Sequence, residues 1–284
     1  MRTANVSRIA RIAAASSLAL LLTACPKENS TPMTGSEASE ALTESNTSSQ
    51  ASALQSSSIE ITTNFTIGKA AQDAAGEIKD YLAAELPCAA VTLADATLTV
   101  TYGAKPGNCT YHGHTFSGTH AIHVSKNDQN EVLVDHTWTD LSNGIVKVSG
   151  TAHVTWDFSQ KFRHVVYDTT WTRIADGRAG QGTGDVTQTP LADGGLANGI
   201  QVDGSRTWQG ASGKWDLSIQ GVQMRWEDPV PQAGKYVLAT PKNRSITLAF
   251  SRVDDATIQV ELSSGDKSFT FDVKGPTADS TPKS

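Results

Sequence analysis

The sequence predicts a mainly β protein: a single curved antiparallel β-meander of about ten strands, half-barrel or barrel-like, with one N-terminal α-helix packed on it. Three observations carry that expectation. Ser and Thr supply 61 of the 284 residues, a usage that suits polar linkers and the solvent faces of sheets better than helix bundles. From Thr92 onward apolar and polar residues alternate, the period of a strand with one buried face. Turn signals punctuate that stretch at Gly103 to Gly107, Asn143-Gly144, Asp176-Gly177, Asp254-Asp255 and Gly265-Asp266.

The chain starts with a basic segment holding Arg2, Arg8 and Arg11, continues through the apolar run Ile12 to Leu22, and then reads Leu22-Thr23-Ala24-Cys25. The apolar run is too short to cross a bilayer as a mature helix. Residues 1–24 with Cys25 resemble the signal peptide of bacterial lipoproteins, whose lipobox ends in the cysteine at which the peptide is cleaved. The resemblance implies a diacylglycerol thioether on Cys25, an N-acyl chain on its new amine, and a mature protein that begins there. Acyl chains at about 0.8 kcal/mol per buried methylene would make the membrane the first partner. Pro26 and Lys27 follow without an aspartate, which by the same resemblance favours the outer membrane over the inner.

Residues 26–60 contain 14 Ser or Thr, and the first aromatic after Cys25 is Phe65. Such a composition buries too little apolar surface to offset its ordering entropy, so residues 25–61 read as the lipidated cysteine and a disordered tether, with a short helical stretch around Ser36 to Leu42. A flexible leash of this length would hold the folded part roughly 30 Å from the lipid. The folded domain is expected over 62–273, followed by a disordered tail over 274–284.

Within that domain Thr66 is placed to cap a helix in which Ile67, Ala70, Ala71, Ala74, Ala75, Ile78, Tyr81 and Leu82 recur at three- and four-residue steps, ending at Leu86-Pro87. Its mostly alanine stripe lets it lie close against a sheet. With Cys25 set aside for lipid, Cys88 and Cys109 remain as an even pair. In an oxidising compartment they should form a disulfide worth about 3 kcal/mol, pinning the helix end to the first hairpin.

If Asn143-Gly144, Gln160-Lys161 and Asp176-Gly177 are two-residue hairpin loops, the register follows. One face places Gly150 beside Trp171 and Gly182, Ala152 beside Thr169 and Gly184, and Val154 beside Tyr167 and Val186. The other pairs His153 with Asp168 and His164 with Asp157, and sets Thr151, Thr170 and Thr183 in a row. Trp215, Leu217 and Ile219 share one parity and Val222, Met224 and Trp226 the other, so Gly221 between them reads as a β-bulge. Two final hairpins align Phe250, Val260 and Phe271, and also Leu248, Leu262 and Phe269.

Charge and motifs narrow the function classes. The chain carries 23 Lys+Arg against 29 Asp+Glu, and removing residues 1–24 would lower the net charge from −6 to −9, which disfavours nucleic acid. No Gly-x-Ser-x-Gly elbow is present, and Gly210-Ala-Ser-Gly-Lys214 lacks phosphate-loop spacing. No cofactor is implied. All seven histidines lie between 112 and 164, and His112, His114, His136 and His153 form a conceivable zinc or copper set on the expected register. The simpler rival takes His153 with Asp168 and His164 with Asp157 as ordinary cross-strand polar pairs, while His120 and His123 differ in parity and cannot both face one ion from a regular strand. The expectation is a non-enzymatic, lipid-anchored cell-envelope protein with a structural or interaction role toward another envelope protein. The order of elements also resembles the half-barrels of the lipoprotein-carrier family, which implies a hydrophobic ligand held between sheet and helix as the alternative. A histidine-based metal protein is the third reading.

Overall fold

The computed structural model describes residues 33–63, 65, 69–111, 114–128, 131–157, 161–191, 199–225, 228 and 230–274. The signal-like segment, Cys25, Thr66, His112, Trp226 and the C-terminal tail after Lys274 lie outside the described residues. Two helices, α1 (Gly35–Glu60) and α2 (Ala71–Glu85), precede the strands. The strands are β1 (Ala90–Ala94), β2 (Thr97–Tyr102), β3 (Thr110–Tyr111), β4 (His114–Thr115), β5 (Ser117–Lys126), β6 (Val132–Ser142), β7 (Val146–Asp157) and β8 (Phe162–Arg173). They continue as β9 (Ala179–Pro190), β10 (Ile200–Gly210), β11 (Gly213–Met224), β12 (Ala233–Ala239), β13 (Ser245–Asp254), β14 (Thr257–Ser264) and β15 (Lys267–Lys274).

Thirteen strands form one antiparallel sheet in chain order, interrupted only where β3 and β4 make a separate hairpin, and the sheet is not closed. The count exceeds ten because strands as short as β1 offer only two or three alternations, too few for period two to stand out. The β-bulge expected at Gly221 is present: Gly221 has φ +57, and the β10–β11 register shifts between Val202 and Gly204. Trp215, Leu217 and Ile219 before the bulge and Val222 after it are all buried.

The helical part departs from expectation. Where a tether was foreseen, α1 is a continuous 26-residue helix, about 39 Å long at 1.5 Å per residue. A capping box starts it, with the Thr34 side chain accepting from Glu37 N–H and the Glu37 carboxylate accepting from Thr34 N–H. Ala41, Glu44, Ser48, Ala51, Gln55, Ser58 and Thr62 are buried at alternating three- and four-residue steps, one face of a helix. Its Ala and Ser side chains lose little rotamer entropy on burial, while the longer Glu44 and Gln55 are held by Arg178 and Thr169. Helix α2 is shorter than expected, begins at Ala70 with no side-chain cap, and buries Ala74, Ala75, Ile78 and Leu82 over β1, β2 and β5. The Cys88–Cys109 disulfide follows it, with Cα atoms 5.4 Å apart.

Hairpin registers divide into two groups. The C-terminal pairs match expectation residue for residue: Phe250 with Val260 and Phe271, Leu248 with Leu262 and Phe269. In the central hairpins Ser142–Lys147, Asp157–Phe162 and Thr172–Ala179 are the innermost pairs, so each loop is longer than two residues. At Asn143 the side-chain Oδ1 accepts from both Ile145 and Val146 N–H, an Asx-type turn that replaces the two-residue one. In the β8–β9 turn the Asp176 carboxylate accepts from Arg178 N–H and grips Arg173. The β7–β8 and β8–β9 registers move by two residues, which keeps every side chain on its face. Trp171 therefore pairs with Gly180 while its ring still reaches Gly182, the glycine first expected beside it, and Tyr167 covers Gly184 in place of Val186.

Candidate functional site

On the core-facing side of β8 to β11, α1 packs against a set of glycines and aromatic rings. Glycines 180, 182 and 184 leave room for rings: a Cβ on Gly180 would stand 2.6 Å from Trp171 Cζ2. Tyr167, Trp171, Trp208 and Trp215 line the floor, the last two stacked with ring centroids 6.0 Å apart. Arginines of β8, the β8–β9 turn and β10 fasten the helix. Arg163 Nη2 donates to Glu60 Oε2 at 2.8 Å while its guanidinium lies 5.2 Å from the centre of the Trp156 ring. Arg178 pairs with Glu44, Arg206 donates to Ser52 Oγ, and Arg173 Nη1 reaches Thr47 Oγ1 at 3.4 Å. Gln55 Nε2 donates to Thr169 Oγ1 at 2.6 Å.

These contacts fix the helix in one register, because Glu44 and Arg163 are almost wholly buried and a buried charge without its partner is strongly destabilising. Between α1 and the floor a crevice lined by Ala51, Gln55, Tyr167, Trp171, Arg206 and Trp208 has a volume of only about 10 Å³, room for roughly one water. Among the described residues the indole N–H groups of Trp208 and Trp215 and Nε of Arg206 have no hydrogen-bond partner. The arrangement is a polar and aromatic lock around a helix of small residues. Sequence reading missed α1 as part of this site, although its three- and four-residue spacing was present in Ala, Ser and Gln instead of Leu and Ile.

The second cluster is a row of rings across β2, β5 and β6. Tyr102 stacks on Phe116 at 5.3 Å, His120 on His136 at 5.1 Å, and His136 on Trp138 at 5.8 Å between centroids. The Tyr102 hydroxyl lies 3.2 Å from His120 Nδ1, and His120 Nε2 lies 2.9 Å from His136 Nδ1. Both imidazoles are buried, at 0% and 1% exposure. Burial pushes the His120 pKa well below its ordinary value, with the His136 ring adding to the effect. Burial, then the charge of Arg163 and of His153, brings His136 down to about 3. Burial likewise raises the Tyr102 phenol. Both rings are neutral near pH 7 and pass a single hydrogen-bond chain from strand to strand.

The histidines considered for a metal set are distributed as follows. His112 lies outside the described residues. His114 sits in the β3–β4 hairpin with its ring 6.4 Å from Phe116. His136 faces the core, whereas His153 is on the opposite face, because Asp140 (φ +52) bulges β6 between Trp138 and Leu141 and His136 pairs with Ala152. The one-residue change against the expected register separates the two rings. Exposed His153 Nδ1 pairs with Asp135 Oδ1 and exposed His164 Nε2 with Asp185 Oδ1, each at 2.6 Å, in place of the expected Asp168 and Asp157. Among the described residues no three His, Cys, Asp or Glu side chains gather to hold a metal ion, and no helix is long and apolar enough to cross a membrane. No family model, curated protein or solved structure matches this chain.

Proposed function

We propose that this chain is a cell-envelope protein held on a membrane, the outer one by the resemblance above, through lipid on Cys25, and that its sheet serves a non-enzymatic structural or interaction role. The lipobox Leu22-Thr23-Ala24-Cys25 supports the anchor. The observation that carries the non-enzymatic role is the filled groove: among the described residues the crevice between α1 and the Tyr167, Trp171 and Trp208 rings is about 10 Å³, where a small-molecule site needs roughly 300–1,000 Å³. With α1 starting at Gly35, the ten residues from Cys25 span at most about 35 Å, so the α1 N-terminus and the neighbouring Pro241 and Lys242 would stay near the lipid. Metabolic palmitate labelling with membrane fractionation tests the anchor. The wild-type chain should carry label and sediment with membranes, and Cys25→Ser should lose both. An unlabelled wild-type chain that washes off overturns it.

A second reading, carriage of a hydrophobic ligand, is favoured by one observation: aromatic rings and partnerless indole N–H groups line the floor beneath α1. That reading requires α1 to leave the groove when cargo enters. Native mass spectrometry of the detergent-extracted full chain separates the two, since co-purified lipid in addition to the covalent acyl chains supports carriage and its absence supports the filled-groove reading.

A further inference from the structure

The two edges of the open sheet are treated differently. At one end β1 is five residues long and covered by α2. At the other end β15 is eight residues long, pairs with β14 without a bulge from Thr257–Lys274 to Ser264–Lys267, and is exposed along all but Val273. The two-residue Gly265-Asp266 turn makes Ser264 and Lys267 a hydrogen-bonded pair. Ser268, Thr270 and Asp272 therefore send their backbone N–H and C=O groups to the outer edge, where nothing among the described residues pairs with them. Natural edges of this length are usually blunted by proline, a bulge or an inward charge. Here Ser268 to Val273 contains none of these beyond Asp272, which faces away from the core side.

The exposed apolar side chains point the same way. Phe269 is 63% exposed and Phe271 48%, and both lie on the face whose earlier strands bury Val260 and Ile258. An open edge with two neighbouring phenylalanines on the core side is half of a sheet-to-sheet junction.

The strand complements itself. In antiparallel pairing the residues that exchange backbone hydrogen bonds lie directly opposite each other, so a two-fold axis through Thr270, whose backbone groups face outward, is an allowed register. It places Phe269 opposite Phe271 of the second copy, and Phe271 opposite that copy's Phe269. On the other face it places Ser268 opposite Asp272, a hydroxyl opposite a carboxylate. Asp266 comes to lie opposite Lys274, whose ammonium donates to Thr257 Oγ1 at 2.7 Å within one copy. No like charges are opposed anywhere along the strand.

We propose that β15 is a homodimer interface, in which two copies join edge to edge through β15 about a two-fold axis at Thr270 to make one continuous sheet. The occupant is a second copy because the charge and aromatic pattern matches its own two-fold image. The proposal does not depend on the lipid anchor or on the groove reading, and isologous pairing closes at two copies.

Multi-angle light scattering of the detergent-extracted full chain, corrected for detergent, should give twice the mass of one copy. Thr270→Pro removes only an N–H that points away from β14, so it should give single-copy mass with an unchanged circular dichroism spectrum. Thr270→Cys should form a covalent dimer under mild oxidation, while Thr247→Cys, two strands inward, should not. Single-copy mass for the wild-type chain at every concentration overturns the proposal, as does a dimer that survives Thr270→Pro. Amide protection of Ser268 to Asp272 that disappears when residues 275–284 are deleted, with the mass unchanged at one copy, would assign the edge to the chain's own tail and overturn it as well.

Discussion

Acidification should destabilise this fold through its buried imidazoles, and His136 allows the size to be worked out. In the unfolded chain a histidine titrates near 6.5, whereas in the folded protein burial holds His136 at about 3. The folded state therefore excludes a proton that the unfolded state accepts, so the stabilisation is fully present above about pH 6.5 and is lost as pH falls from there toward 3. At 1.36 kcal/mol per pH unit, the loss attributable to His136 alone at pH 5 is about 2 kcal/mol. His120, also lowered by burial, adds in the same direction. Urea unfolding at pH 7.5, 6.0 and 5.0 on the wild-type chain and His136→Gln measures this directly. Glutamine retains a hydrogen-bonding amide beside His120 but does not titrate, so the fall in unfolding free energy between pH 7.5 and 5.0 should shrink by about 2 kcal/mol. Other titrating groups cancel in the comparison. An unchanged pH dependence in His136→Gln, or a His136 imidazole signal in the folded protein that titrates at the ordinary histidine value, would overturn this account.

Three further outcomes follow from the packing. Arg178→Ala leaves the buried Glu44 carboxylate without its cation and should cost about 3–5 kcal/mol, read by urea unfolding; adding Glu44→Gln should recover part of it. Gly184→Ala drives a methyl into the Tyr167 ring and should destabilise by about 1–3 kcal/mol, visible as a lower thermal midpoint, while the same change at Gly144, which has open space around its Cβ position, avoids any such collision and is strained only by its positive φ. Replacing Cys88 and Cys109 together by Ala should cost about 3 kcal/mol, and wild-type protein under reducing conditions should show the same shift in its urea midpoint.

Legibility in the sequence followed loop chemistry. Gly265-Asp266 and the Asp254 to Ala256 loop specify their turns by residue type, so Phe250, Val260 and Phe271 could be aligned in advance. Gln160-Lys161 does not specify a two-residue turn, and the real loop spans four residues between Asp157 and Phe162. Asn143 instead used its side chain to cap a longer turn. The aromatic-over-glycine packing was visible as a pattern, but which glycine sat under which ring depended on those loops.

What the sequence alone determined was the period: alternation set out an antiparallel sheet with apolar residues on one face, and composition left Cys88 and Cys109 to pair. Only the tertiary structure decided what packs on the apolar side. Residues 35–60 have little apolar content, and an isolated helix rich in Ser and Thr is marginal in water. The aromatic floor and the arginines that order it come from strands more than a hundred residues later, as Arg163 with Glu60 and Arg178 with Glu44 show. A helix whose stability is supplied by distant partners leaves only a faint mark in its own local sequence, and the same distance hid which histidines would share a face.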